Sequence, residues 1–233
     1  MNSIDYLKFL ISKYKLRKFF RAASMDEIID ATRNFVGHGI YSRISMSQKP
    51  TEIRLLADAV KAIKPQVIVE IGTRKGGTLF TWCRYTQATE IISIDLPGGI
   101  HGGGYPEGKQ AFYKYFLSDQ PNRNLHLLQK DSHQETTLNE VKNILNNRLI
   151  DFLFIDGDHT YAGVKMDFEM YSPLVRKGGI IAFHDIIPNT TSHEDAATIE
   201  VPRFWNELKD KYPSKEFIES AQQGNMGIGI IYK

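Results

Sequence analysis

Two short apolar runs of this chain end in groups that can bind a metal or move a proton. The run Ile150-Asp151-Phe152-Leu153-Phe154-Ile155 stops at Asp156-Gly157-Asp158-His159, and Gly179-Ile180-Ile181-Ala182-Phe183 stops at His184-Asp185. The residues between them, 162–175, have helical character, so the order is strand, helix, strand. Such a crossover is right-handed and leaves the two strands parallel. Their carboxyl ends then share one sheet edge, which is where open α/β sheets place ligands. Asp156, His159, His184 and Asp185 are therefore expected to form one site. Carboxylate oxygens are hard ligands suited to magnesium, whereas an imidazole such as His184 suits manganese, iron or zinc better. His159, with an ordinary pKa of ~6.5, is the candidate general base. A competing reading has His159 orient a ligand carboxylate, Asp156 cap the next helix and His184 satisfy a backbone carbonyl. Asp158 is read as a further ligand or as a partner of His159, and Tyr161 and Asp167 as packing and pairing within the helix.

A second group of residues suits a cofactor. Glu70-Ile71-Gly72-Thr73-Arg74-Lys75-Gly76-Gly77 falls at the first expected strand-to-helix turn. Glycines there let the backbone approach a ligand closely. The spacing is not the Gly-x-Gly-x-x-Gly of dinucleotide sites, and a carboxylate at Glu70 would repel a pyrophosphate. It better suits a cofactor carrying an amino group; a tight turn without any ligand is the alternative. Asp95 ends the next strand, where a carboxylate accepts hydrogen bonds from ribose hydroxyls. Asp131 and Ser132 follow the third strand, where they either meet an adenine amino group or cap a helix.

The elements that must hold these residues alternate. Strands are expected at 67–71, 90–94, 125–129, 150–155 and 179–183, with helices at 48–63, 77–85, 108–118, 138–145, 161–174 and 201–212. Two last strands, 215–220 and 226–232, are joined by a short hairpin-like connection, so the final one should run antiparallel. The fold class is thus a Rossmann-like, doubly wound, mostly parallel seven-stranded α/β sheet with a final antiparallel strand, preceded by N-terminal helices. Residues 1–45 are expected to form a helical extension and 46–233 the main domain. Glycine-rich residues 97–108, and residues 187–195, follow strand ends and read as candidate lids.

At 233 residues, with 42% hydrophobic and 24% charged residues, the chain suits a globular protein with one sizeable core. A net charge of +2 gives no argument for nucleic-acid binding. The single cysteine, Cys83, excludes an internal disulfide framework, reads as packing, and fits a cytoplasmic setting. Residues 1–24 carry six Lys and Arg against only Asp5. This basic amphipathic segment is read as packing on the domain or on a second subunit, with peripheral contact to an anionic membrane as the alternative. A homo-oligomer is expected.

The ordered set Glu70…Gly72…Gly76-Gly77-Thr78, Asp95, Asp131, Asp156-Gly157-Asp158-His159-Thr160-Tyr161 and His184-Asp185 resembles class I S-adenosylmethionine-dependent methyltransferases. It is most similar to the cephalosporin hydroxylase-like and macrolide and rhamnosyl O-methyltransferase branch, over residues 45–233. The resemblance implies that Glu70 and Gly72 line the methionine end, that Asp95 binds the ribose, and that Asp131 and Ser132 lie near the adenine. Thr73, Gly76, Gly77 and Asp156 complete the cofactor set. Asp156, His184 and Asp185 would hold a divalent metal, magnesium or manganese, and His159 would be catalytic. The implied activity is O-methylation of a small-molecule or sugar hydroxyl. A non-catalytic cofactor-binding or partner protein, and a nucleotide-cofactor oxidoreductase on the same type of sheet, are the rival readings. The hydroxylase label of that branch is disfavoured, because no clear two-histidine, one-carboxylate iron pattern is seen.

Overall fold

Strands with helices on both sides must be apolar on both faces, and the Val, Ile and Phe runs of this chain meet that demand. Val67–Ile71 (β1), Glu90–Ile94 (β2), Asn124–Leu128 (β3), Ile150–Ile155 (β4), Val175–His184 (β5), Ser214–Phe217 (β6) and Ile228–Tyr232 (β7) form one sheet. The computed structural model describes residues 3–22, 24–98, 104–190 and 199–233. The strand order is β3-β2-β1-β4-β5-β7-β6. All run parallel except β7, which is antiparallel to β5 and β6 and lies between them. The Rossmann-like architecture and the antiparallel final strand are both as expected.

Ser3–Arg17 (α1), Met25–Asn34 (α2), Pro50–Ala62 (α3), Gly77–Tyr85 (α4) and Gln110–Lys114 (α5) contribute to an apolar cluster on one sheet face, with Ile68, Ile91, Phe152 and Phe154. Glu135–Leu145 (α6), Tyr161–Tyr171 (α7) and Val201–Leu208 (α8) cover the other face, over Val69, Ile92, Leu153 and Ile181. Alternate strand residues thus feed the two clusters, the period-two rule of a pleated strand. Local signals set the helix starts. The Ser24 hydroxyl accepts from the Glu27 amide while the Glu27 carboxylate accepts from Ser24, a reciprocal cap that opens α2. Thr160 accepts from the Gly163 amide at the start of α7. Cys83 is fully buried and its thiol is pushed up to about 12 by that burial, which fits packing.

Three expectations need correction. The helix read at 108–118 is a five-residue α5 flanked by 3-10 turns at Glu107–Lys109 and Tyr115–Leu117. Strand β5 begins at Val175 rather than 179, across a register irregularity where Gly178 takes φ 73°. The β6–β7 connection is no tight hairpin, because residues 218–227 are drawn onto α3 by the fully buried Glu52. Its carboxylate accepts from Gln223 Nε2 (2.7 Å) and from the Gly227 amide (3.2 Å). The basic helix α1 packs on the domain through Ser12 and Leu16, with Phe9 against the core, and leaves Ile4, Leu7, Leu10 and Tyr14 exposed. Among the described residues no helix is long and apolar enough to cross a membrane. Of the candidate lids 97–108 and 187–195, residues 99–103 and 191–195 lie outside the described residues.

Replacing Glu52 by Ala strips two donors of a buried acceptor. Each orphaned donor costs about 1–3 kcal/mol, so Glu52→Ala should lower stability by roughly 2–4 kcal/mol in urea unfolding. A loss under about 0.5 kcal/mol would show that this tie is not structural.

Candidate active site

Register places the chemistry. Ile155 pairs with Phe183, so the next residues of β4 and β5, Asp156 and His184, end up side by side. Ile71 pairs with both Ile155 and Ile94, which brings Gly72 between Asp156 and Asp95. The strand order reverses between β1 and β4, so these residues flank the crevice that such a reversal opens.

Asp156, His159, His184 and Asp185 form a closed square of alternating acid and imidazole. His184 Nδ1 lies 3.2 Å from Asp156 Oδ1 and 3.3 Å from Asp185 Oδ2. His159 Nε2 lies 3.5 Å from the same Asp156 oxygen, and its Nδ1 lies 3.4 Å from the same Asp185 oxygen. Burial works against ionisation of Asp156, but the two imidazoles beside it prevail and hold its carboxyl well below the usual carboxylate range. Burial likewise opposes a charged His184, and Asp156 and Asp185 overcome it, raising its pKa well above the ordinary value. His159 is raised in the same way by the same two acids, against burial. Asp185 adopts φ 61°, a left-handed conformation that Asp tolerates and that turns the chain sharply out of β5. His184 Nε2 is buried with no hydrogen-bond partner among the described residues. One ligand atom each from Asp156, His184 and Asp185 lies within 4.8 Å of the others. Two carboxylates and an imidazole at that spacing fit a single divalent ion.

The first expected cofactor residues are placed less openly. Glu70 is fully buried on the α4 side of the sheet, where it accepts from Trp82 Nε1 (2.9 Å) and Ser93 Oγ (3.0 Å). Burial pushes its pKa up to about 8 despite those donors. Gly72, at φ 100°, has no room for a side chain because the Asp156 carbonyl stands where a Cβ would go. A Cβ on Gly76 would meet the Tyr113 ring at 2.6 Å. Both glycines are thus required by packing of the protein on itself. The Thr73 hydroxyl pairs with Ser93, and Gly77 donates to the Ser45 carbonyl. Asp95 stands at the end of β2 and accepts backbone amides from Arg74, Gly104 and Thr73, while burial raises its pKa to about 6. A carboxylate so placed beside the crevice is the donor-set feature that best suits a ribose diol.

The remaining candidates have partners within the protein. Asp131 accepts from the His133 amide (2.9 Å) and Gln134 Nε2 (3.1 Å), so it braces the turn before α6. The Ser132 carbonyl accepts from Tyr171. Asp158 accepts from the Thr160 amide and stands off the acid–imidazole square. Asp167 pairs across the fold with His133 at 3.2 Å, not within its own helix, and Tyr161 reaches Glu207 of α8. Gln48 was outside every candidate set, yet its Nε2 donates to Asp156 Oδ2 at 2.6 Å. Only its place in the polar stretch before Pro50 marks it in the sequence.

Glu70 supplies a pH test. Its folded pKa lies above that of a free carboxyl, so the folded state holds the proton longer and its burial costs stability as pH rises from about 4.5 to about 8. Glu70→Gln cannot ionise. Its stability relative to the parent protein should rise between pH 5 and pH 8 in paired urea titrations; a constant difference would remove the shift.

The comparisons follow the geometry. A methyltransferase-domain family model matches residues 69–186, about half of the chain. An uncharacterized protein of Sinorhizobium fredii is 31% identical over 164 residues, 68% of this chain but only 16% of that relative's length. The O-methyltransferase TomG of Streptomyces achromogenes, solved in complex with SAM, superposes with a TM-score of 0.58 at 15% identity, covering 89% of this chain and 88% of its own. The O-methyltransferase of Bacillus cereus, in complex with SAH, gives 0.53 at 19% identity, covering 90% of each chain. With the acid–imidazole square at the strand reversal and the match running from β1 through Asp185, the chain belongs to the methyltransferase-domain family.

Proposed function

We propose that this chain is an S-adenosylmethionine-dependent O-methyltransferase, assisted by a divalent metal, that acts on a hydroxyl of a small molecule or sugar. The observation that carries this reading is the square of Asp156, His184, Asp185 and His159 at the crevice where β1 and β4 part. The family match and the two bound relatives support the cofactor. S-adenosylmethionine, when bound, supplies an electrophilic methyl group on a sulfonium. A metal held by Asp156, His184 and Asp185 supplies positive charge that lowers the pKa of a nearby hydroxyl.

The residues of the chain do the remaining work. Asp95 anchors a ribose, and the packed Gly72–Gly77 loop gives it a rigid wall. His159 takes the proton of the acceptor hydroxyl as the oxygen–carbon bond forms and the sulfur–carbon bond breaks. For this the ring must be neutral: Asp185 accepts from Nδ1 and orients it, Nε2 is left to receive the proton, and Asp156 beside Nε2 stabilises the imidazolium that results. Gln48 holds the free oxygen of Asp156, so that carboxylate keeps one orientation. His184 and Asp185 are shielded, with 4% and 9% of their side chains exposed, whereas His159, at 21%, stays open to an incoming hydroxyl.

Calorimetry with S-adenosylmethionine and with NAD, each with and without manganese or magnesium, tests the reading. S-adenosylmethionine should bind and NAD should not; the reverse result would sink the proposal. In a methyl-transfer assay, His159→Ala should lower kcat by about 10²–10⁴-fold while S-adenosylmethionine affinity stays within about twofold. Unchanged turnover would remove His159 from the chemistry. Chelation should abolish transfer without abolishing S-adenosylmethionine binding, and transfer that survives chelation would leave the metal without a role.

A further inference from the structure

Gln48 touches two things at once. Its Nε2 donates to Asp156, and the same side chain lines a cavity of about 500 Å³. That size lies within the usual range for small-molecule sites. The cavity is joined to the rest of the crevice by backbone. Ser45, in its wall, bridges to Gly76 of the β1–α4 loop. Met226, also in its wall, accepts from the amide of Ile187, two residues beyond Asp185.

The lining is cationic. It includes Arg33, Arg43 and Lys49 and not one carboxylate among the described residues. No ion pair engages these three side chains among the described residues. A fourth cation joins them, since Arg74 Nη1 donates to Ser47 of the same wall at 3.2 Å. Cations gathered around one concavity repel each other unless an anion sits there, and guanidinium groups match carboxylate and phosphate oxygens. A second observation is independent of charge. Gln48 is only 6% exposed, and its Oε1 has no hydrogen-bond partner among the described residues. With Nε2 committed to Asp156, the enclosed Oε1 meets a donor from elsewhere, such as a hydroxyl, once the Gln48 side chain turns towards the cavity it lines.

We propose that this cavity is the acceptor site and that the acceptor is an anionic polyol, a sugar carrying a phosphate or a carboxylate. Its charged end lies against Arg33 and Arg43, and a hydroxyl donates to Gln48 Oε1 beside Asp156. This rests on the methyltransferase reading for the identity of the site, but the anion chemistry can be measured by itself.

The test is calorimetric titration of the full chain, loaded with S-adenosylhomocysteine and manganese, with glucose 6-phosphate, glucuronate and glucose. The anionic sugars should bind saturably and glucose at least about tenfold more weakly, as loss of a charge-assisted contact implies. Whichever anion binds better identifies the charged group. The double variant Arg33→Ala/Arg43→Ala should weaken anion binding at least about tenfold with Tm and S-adenosylhomocysteine affinity unchanged, because both arginines are exposed. Equal binding of glucose, indifference to the double variant, or no binding of either anion, with S-adenosylhomocysteine still bound, overturns the proposal and leaves the methyltransferase reading intact. Arginine-dependent anion binding without any S-adenosylhomocysteine binding would instead keep the anion site and remove the methyltransferase reading.

Discussion

A carboxylate at the end of β4 has to remain charged with only 14% of its side chain exposed. Water cannot solvate Asp156 adequately there, so the fold must bring compensating charge to it. It does so by placing His184 directly beside it in register and by curling His159 back from the following turn. Each imidazole then faces two acids and each acid two imidazoles. The arrangement is balanced only as a whole, since removing one member leaves a neighbour uncompensated in a poorly solvated place. The left-handed turn at Asp185 follows from the same demand, because it delivers the second carboxylate to both rings. With neutral imidazoles the four groups carry two negative charges, which is what a divalent cation balances. The geometry that compensates charge among these side chains therefore also suits a divalent cation.

The parts of this arrangement that depend on strand ends were legible from residue order. A run such as Phe152-Leu153-Phe154-Ile155 can only be a strand buried on both faces, and a crossover of one helix fixes its neighbour as parallel. Asp156, His184 and Asp185 follow from that, and so does Asp95 one strand further out. Side-chain direction was harder. Glu70 occupies the expected strand end, but the pleat turns it towards Trp82 and Ser93, and only the helix packed above reveals this. Gly72 and Gly76 suggested a ligand, whereas the Asp156 carbonyl and the Tyr113 ring already explain them. A glycine reports close approach without saying what approaches.

Contacts between single polar residues far apart in the chain left no periodic trace. Gln48 and Asp156 are 108 positions apart, and His133 of the β3–α6 turn pairs with Asp167 inside α7. The exposed residues of α1 show a different limit. Among the apolar residues interleaved with the Lys and Arg of residues 1–24, Phe20 is buried while Tyr6, Leu7 and Leu10 are exposed, since amphipathic spacing alone does not say how much of a face the domain will cover.

The N-terminal segment shares the apolar cluster of the sheet, with Leu16, Met25, Ile28 and Phe35 packed among residues of α3 to α5. It also reaches the crevice, since Ser45 pairs with Gly76 and Gln48 with Asp156. A sheet edge alone offers strand ends and turns, which suffice for a methyl donor and a cluster of acids. It has no wall on the far side of those acids. Residues 29–50, with Asn225 and Met226 from the β6–β7 connection, supply that wall. Glu52 fastens this connection to α3, immediately after Lys49 and Pro50 of the lining. The geometry of the cavity is thus set by the same contacts that stabilise the fold, so its basic side chains are carried on a rigid frame beside Asp156.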